Sequence, residues 1–336
     1  MKSDMVAPDN ILELGQAFRG SKTLLSAVEL GVFTILAQGP RELGALTQRV
    51  GLHERGARDF LDALVALGML VRHADGRYAN TVQADLYLDR NKPTYVGGLL
   101  ETFTRHFCAW GSLTTALRTG KPQSDASVVN NFGPLYADKA SREMFVSGMT
   151  VRTRPVAQAI AVKFPWQRYR TLIDIGTAEG CLPVAIAQVH PHITGGGFDL
   201  PALLPSFDSY VRQHALSERL RFYPGDFFNG ALPTADVLVM GRVLHNWDLA
   251  TKKMLLKKAH DALQPNGALI VYERLIDDER RVNASGLLSS LQMLLASTGG
   301  FDFTGAECIG WMREAGFRDI RVDPLTADQS MVAGFK

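Results

Sequence analysis

Three aspartates and a histidine sit within or directly after short apolar runs in the second half of this 336-residue sequence. Asp174 lies in Thr171-Leu172-Ile173-Asp174-Ile175, and Asp199 closes Gly195-Gly196-Gly197-Phe198-Asp199. Asp226 belongs to Gly225-Asp226-Phe227-Phe228, and His245 to Leu244-His245-Asn246-Trp247-Asp248. If each run is a strand of one parallel sheet, these residues converge on the crevice at the carboxyl ends of the strands. Gly176 and Gly180, four apart after the first run, permit a tight turn and close approach of backbone to a bound group. An acid at the end of the second strand is placed to grip both hydroxyls of a ribose, which suits Asp199. Asp226 suits the exocyclic amine of adenine, with Phe227 stacking on the ring. The loop at 176–181 lacks a full Gly-x-Gly-x-x-Gly pattern and contains no arginine or lysine to meet a pyrophosphate. That argues against a nicotinamide dinucleotide and its dehydrogenases. Adenosine without phosphates fits better, as in S-adenosylmethionine.

The elements that must position these residues follow from periodicity. Strand-like runs at 171–176, 194–199, 220–223, 237–240, 268–272, 320–322 and 331–333 are separated for the most part by helical patterns. In the pattern at 249–263, Leu255, Ala259 and Leu263 share one face and Lys253 and Lys257 the opposite one. This predicts an α/β, doubly wound sheet. The last two runs are joined by the short segment Asp323 to Ser330 with no helix, which predicts a final antiparallel pair.

Residues 9 to about 90 read as short helices followed by a hairpin, with Asp75-Gly76 at its turn. Helices followed by a hairpin make a winged-helix arrangement, which raises a transcription regulator as a rival reading. The charge argues against a DNA reader: residues 1–90 carry 10 Lys/Arg against 11 Asp/Glu, and Glu54, Asp59 and Asp62 lie on the helix that would read the groove. A protein–protein module is expected instead. Between 91 and 170 the chain is helical, with a polar loop from Thr119 to Pro134. Its aromatic and methionine side chains are either plain core or a roof over an apolar substrate.

Lys+Arg 36 against Asp+Glu 34 creates no field that would draw nucleic acid or an anionic membrane. Cys108, Cys181 and Cys308 are odd in number and widely spaced, so they read as reduced thiols in a cytoplasm. No signal peptide follows Met1, and no run reaches the length of a membrane span.

Several segments together carry a resemblance: Asp174-Ile175-Gly176-x-x-x-Gly180, Phe198-Asp199-Leu200-Pro201, Gly225-Asp226-Phe227-Phe228 and Val243-Leu244-His245-Asn246-Trp247. Leu263-x-Pro265-x-Gly267 and Trp311-Met312-Arg313-Glu314-Ala315-Gly316-Phe317 complete the ordered set. Over nearly its whole length the chain resembles the class I S-adenosylmethionine-dependent small-molecule O-methyltransferases with an N-terminal winged-helix dimerisation domain. Bacterial members and the plant caffeate and acetylserotonin types belong to that family. The resemblance implies a Rossmann-like seven-stranded methyltransferase sheet, with a dimerisation domain over 1–95, a helical linker and pocket roof over 96–165, and a catalytic domain over 166–336. It implies a homodimer, in which one protomer would help close its partner's pocket.

The resemblance also assigns roles. His245 becomes the general base, and Glu273 and Asp302 the carboxylates that orient or flank it. A phenol of pKa roughly 10 is only about 0.1% ionised at pH 7, so a base is useful. Asp174, Gly176, Gly180, Asp199, Leu200, Asp226, Phe227, Gly241, Arg242 and Trp247 fall at cofactor positions. Phe103, Phe107, Trp110, Phe145, Met149 and Met293 suggest a pocket for an aromatic secondary metabolite, as in antibiotic biosynthesis. The sulfonium methyl is already electrophilic, so no metal is expected, and S-adenosylhomocysteine is the product. Two positions depart from the family: Thr177-Ala178-Glu179 replaces a more glycine-rich loop, and Gly241 stands where many members have lysine. C- or N-methylation, or a hydroxylase, decarboxylase or pericyclase that keeps the cofactor pocket, are the alternatives.

Overall fold

The apolar run at 171–175 is an almost entirely buried strand in the computed structural model, which describes residues 7–123 and 136–336. The expected loop over 119–134 therefore lies, from residue 124 on, outside the described residues. The chain divides into two compact units, Met1–Phe107 and Cys108–Lys336.

In the first unit, α1 (Asp9–Gln16), α2 (Phe18–Glu29), α3 (Val32–Leu36), α4 (Leu43–Val50) and α5 (Glu54–Ala66) precede a hairpin of β1 (Leu70–Arg72) and β2 (Tyr78–Asn80). Helix α6 (Val82–Leu88) follows. The strands pair antiparallel, and a bridge from Arg41 to Tyr78 adds a third short edge, giving the winged-helix arrangement. Val28, Val32, Phe33, Leu46, Leu61 and Leu64 form its core; each fully buried side chain of that size contributes about 1.5–3 kcal/mol. Asp62 of α5 is engaged within the unit: Arg72 donates to it at 2.8 Å and the Tyr78 hydroxyl at 2.7 Å. Helix α1 buries none of its residues, and Ile11 and Leu14 are 76% and 80% exposed.

Helix α7 (Gly97–Gly111) crosses the division at Phe107, so the expected 96–165 segment is shared between the units. In the second unit come α8 (Leu113–Thr119) and the long α9 (Lys139–Lys163). The α/β region then runs β3 (Thr171–Ile175), α10 (Cys181–Val189), β4 (Thr194–Asp199), α11 (Leu204–Gln213), β5 (Leu220–Pro224) and β6 (Ala235–Gly241). It continues as α12 (Leu249–Ala262), β7 (Leu263–Glu273), α13 (Ala284–Ala296), α14 (Gly305–Ala315), β8 (Arg318–Pro324) and β9 (Ser330–Phe335).

The strands form one sheet in the order β5-β4-β3-β6-β7-β9-β8. All neighbours are parallel except that β9 runs antiparallel to both β7 and β8. The helix-free connection after β8 forces this reversal, because a short loop joins only antiparallel strands. The strand order turns back between β3 and β6, so the crevice at their carboxyl ends is where a ligand is expected. Both faces are covered: Ile173, Leu238, Leu269 and Val271 pack on one side, Leu172, Val239, Ile270 and Ala333 on the other. Among the described residues no helix is long and apolar enough to cross a membrane.

Candidate active site

The loop after β3 is pinned to β4. The Gly176 amide donates to the Phe198 carbonyl at 2.8 Å, and Gly176 has φ +77. Asp199 ends β4, and its two oxygens accept from the Ala178 amide at 2.9 Å and the Leu200 amide at 2.8 Å. Burial pushes Asp199 up to about 6, with those two amides opposing the rise. Burial pushes Asp174 further, to about 8. Gly180 is the residue before α10, with φ +90, and a side chain there would meet the Phe207 ring at 2.7 Å.

Asp226 shapes its own turn, accepting from the Phe228 amide at 2.9 Å and from Asn229 Nδ2 at 2.7 Å. Phe227 meets Trp247 edge-to-face with centroids 5.9 Å apart, and Phe228, which the sequence reading passed over, comes closer at 4.8 Å. Gly241 explains one departure from the family pattern. A Cβ there would fall 1.8 Å from the Tyr272 ring, so the phenol occupies the space that a side chain at 241 would need. Arg242 follows in a left-handed conformation, φ +56, with its amide donating to the Tyr272 carbonyl at 3.1 Å.

The turn beyond β6 carries His245 on a single 3-10 turn, Leu244–Asn246. Asn246 Nδ2 donates back to the Arg242 carbonyl at 3.0 Å and holds that turn closed. Glu273 is the last residue of β7, and Asp302 precedes α14. His245, Glu273 and Asp302 are 4%, 0% and 1% exposed, so they form one buried cluster. His245 Nδ1 lies 3.4 Å from Asp302 Oδ1 and 3.9 Å from Glu273 Oε2. The His245 amide donates to Glu273 Oε1 at 3.3 Å. The approach of the two loops needs glycine at 300, where a Cβ would come within 2.7 Å of the His245 and Asn246 carbonyl oxygens. Burial lifts Glu273 above the ordinary glutamate value. Burial acts on Asp302 the same way, yet the imidazole beside it draws Asp302 below its ordinary value. The two acids are thus pushed apart, leaving Asp302 as the anion beside the ring.

Since Nδ1 faces the acids, imidazole geometry directs Nε2 away from them. Lys252 was missed from the sequence. It is 0% exposed, inside α12. Its spacing, three residues before Leu255 and seven before Ala259, puts it on the apolar stripe, but its charge alone would place it at the solvent face.

The six residues expected around the acceptor fall in both units. Phe103 and Phe107 belong to the first unit, where the Lys22 ammonium lies 5.8 Å from the Phe107 ring centre. The other four belong to the second unit. Trp110 packs with Ala109 and Leu295, and its Nε1 donates to Gln292 Oε1 at 2.6 Å. Phe145 packs with Tyr136 and Val146, its ring 5.9 Å from that of Tyr136. Met149 on α9 and Met293 on α13 are half-buried.

A mainly parallel sheet closed by an antiparallel hairpin, with an acid at the carboxyl end of β4, defines a class I methyltransferase architecture. Residues 110–318 match the model of the O-methyltransferase domain, and residues 12–90 match the O-methyltransferase dimerisation domain. The chain belongs to the S-adenosylmethionine-dependent O-methyltransferase family. It is 43% identical to the tetracenomycin polyketide synthesis 8-O-methyl transferase TcmO of Streptomyces glaucescens, over 98% of this chain and 97% of that one. It is 36% identical to the N,N-dimethyltransferase OxyT of Streptomyces rimosus, over 96% and 95%. Among solved structures it superposes on human N-acetylserotonin methyltransferase in complex with S-adenosylmethionine. That match has a TM-score of 0.89 and 27% identity, and covers 100% of this chain and 99% of that one.

Proposed function

We propose that the protein methylates a phenolic oxygen of an aromatic, polyketide-type metabolite, with His245 as general base. The observation that carries this reading is the buried imidazole whose Nδ1 lies 3.4 Å from Asp302 Oδ1. Asp302 holds the ring orientation and stabilises the imidazolium that forms when Nε2 takes the phenol proton. Glu273 fixes the turn through the His245 amide. Asp199 and Leu200 hold the ribose, Phe227 and Trp247 flank the adenine, and Asp174, Gly176, Gly180, Asp226, Gly241 and Arg242 complete the cradle. When bound, S-adenosylmethionine supplies an electrophilic methyl group that the acceptor oxygen takes, leaving S-adenosylhomocysteine. Trp110, Phe145, Met149 and Met293 supply apolar surface suited to a fused aromatic acceptor. His245, Glu273 and Asp302 could also gather round a divalent ion, but the ammonium of Lys252 buried beside them favours a histidine–acid set.

Labelled S-adenosylmethionine offered with a panel of mono-, di- and polycyclic phenols tests the reading. Label entering a phenol ether supports it, and no transfer to any phenol overturns it. The 36% identity to an N,N-dimethyltransferase favours one second reading, in which the acceptor is an amine. Aromatic amines in the same panel separate the two.

Asp302→Asn should lower kcat by roughly 10–100-fold, since the imidazolium loses its counter-charge. Affinity for S-adenosylhomocysteine should stay within about twofold by calorimetry. Affinity itself should depend on pH through Asp199. Ribose hydroxyls donate to its ionised form, so binding is full above about 6 and lost as pH falls through that value. Roughly tenfold weaker binding at pH 5 than at pH 7 is expected.

The family's dimerisation domain and the exposed apolar face of α1 support a homodimer. Ile11→Asp with Leu14→Asp should shift the protein to a monomer by sedimentation, without unfolding the first unit, since neither side chain is in its core.

A further inference from the structure

Lys252 is the most completely buried cation of the second unit's described residues, and nothing in the transfer reaction as described uses it. Its Nζ donates to the carbonyl of Trp247, two residues beyond His245. The same ammonium lies 3.3 Å from the centre of the Phe301 ring and 5.7 Å from that of Phe303, the residues on either side of Asp302. One side chain on α12 therefore touches both the turn that presents the imidazole and the loop that presents its acid. The charged groups around it are Glu273 at the end of β7, Asp302, Asp248 before α12 and Glu307 in α14, and the first two also lie beside His245.

Burying an ammonium is costly, and an apolar residue of similar size would pack there without that cost. Burial draws Lys252 down to about 8, while Glu273 and Asp302 act to hold it charged. Two carboxyls and an imidazole buried together carry a deficit of positive charge. The cation–ring and carbonyl contacts are what fix an ammonium in the place where it offsets that deficit.

We propose that Lys252 is a positioning residue for methyl transfer: it ties the His245 turn to the Asp302 loop and supplies the positive charge against which their proton is held. The inference rests on His245 being the base. Removing a positive charge close to a coupled histidine–acid set makes the set hold its proton to higher pH. The neutral imidazole that accepts the phenol proton would then appear only at higher pH.

The test is the pH profile of kcat/KM for the full-length dimer with its phenol substrate, comparing wild type, Lys252→Met, Lys252→Arg and His245→Ala. In Lys252→Met the midpoint of the acid limb should move up by about one pH unit. Activity at the wild-type midpoint should drop about fivefold, approaching tenfold at lower pH, with S-adenosylhomocysteine affinity within about twofold. A replacement that merely disturbed packing would lower the whole profile and leave its midpoint unchanged. Lys252→Arg keeps the charge, so its midpoint should match wild type whatever happens to kcat. An unmoved midpoint in Lys252→Met, or an equal movement in Lys252→Arg, overturns the proposal even if His245→Ala is inactive. A fully active His245→Ala overturns the base assignment, and the role of Lys252 with it. Should Lys252→Met fail to fold, Lys252→Gln removes the same charge with a polar side chain, and the same midpoint criterion applies.

Discussion

His245→Ala is expected to lower kcat by roughly 10²–10⁴-fold at neutral pH while S-adenosylhomocysteine binds as it does to wild type. The size of the effect follows from the acceptor: a phenol of pKa roughly 10 is about 0.1% ionised at pH 7, so without a base only that fraction reacts. The loss should therefore shrink as pH rises towards the phenol's own pKa. It should also be smaller for a nitrophenol, which ionises unaided. Stopped assays with labelled methyl donor across pH 7 to 10 would read both trends. A loss that is the same for acidic and ordinary phenols would mean that the imidazole positions the acceptor and does not deprotonate it. Because the ring is 4% exposed and its Nδ1 faces Asp302, truncation also leaves a cavity beside a buried anion. Folding should be checked alongside by circular dichroism. His245→Gln fills the space without providing a base and should be nearly as slow as the alanine variant.

Asp199→Ala should weaken S-adenosylhomocysteine binding by roughly 10²–10⁴-fold. Hydrogen bonds to a charged group contribute about 1.5–3 kcal/mol each, and two ribose hydroxyls would lose their acceptor. The effect has a second source in the fold. The same carboxylate accepts from the Ala178 and Leu200 amides, so it also holds the loop after β3 against the end of β4. Asp199→Asn keeps one acceptor oxygen and should fall between wild type and alanine. It should also lose the pH dependence, because no group of pKa about 6 remains at that position. Calorimetric titrations at pH 5, 6 and 7 separate the two contributions. An asparagine variant that keeps the wild-type pH dependence would show that another group is titrating.

The residues that ended the apolar runs were legible from the chain alone. A parallel strand buried on both faces must be an unbroken apolar segment, so 171–175 and 237–240 announce themselves, and the acid or glycine that follows marks the carboxyl edge. The antiparallel end of the sheet was legible for a similar reason, since the eight residues from Asp323 to Ser330 cannot make a helical crossover. The hairpin of the first unit was signalled by Asp75-Gly76.

Other features depended on distance in space. The space at Gly241 is taken by Tyr272, 31 positions later, and only the parallel pairing of β6 with β7 brings the two side by side. Gly300 reads as a loop residue until the turn of His245 packs against it. The aromatic residues expected around an acceptor have no periodicity that separates core from pocket, and the fold distributes them over two units. Lys252 shows the limit most plainly. Charge normally places a lysine on the solvent face of a helix, and α12 offers such a face with Lys253 and Lys257. Whether the neighbouring lysine turns inward depends on a carbonyl, a ring and two acids from three other segments. Sequence thus determined which groups stand at the sheet's edge, because strand burial is written locally in apolar runs. Tertiary structure decided which of those groups lie close enough to couple, because electrostatic coupling depends on separations of a few ångströms that no spacing along the chain encodes.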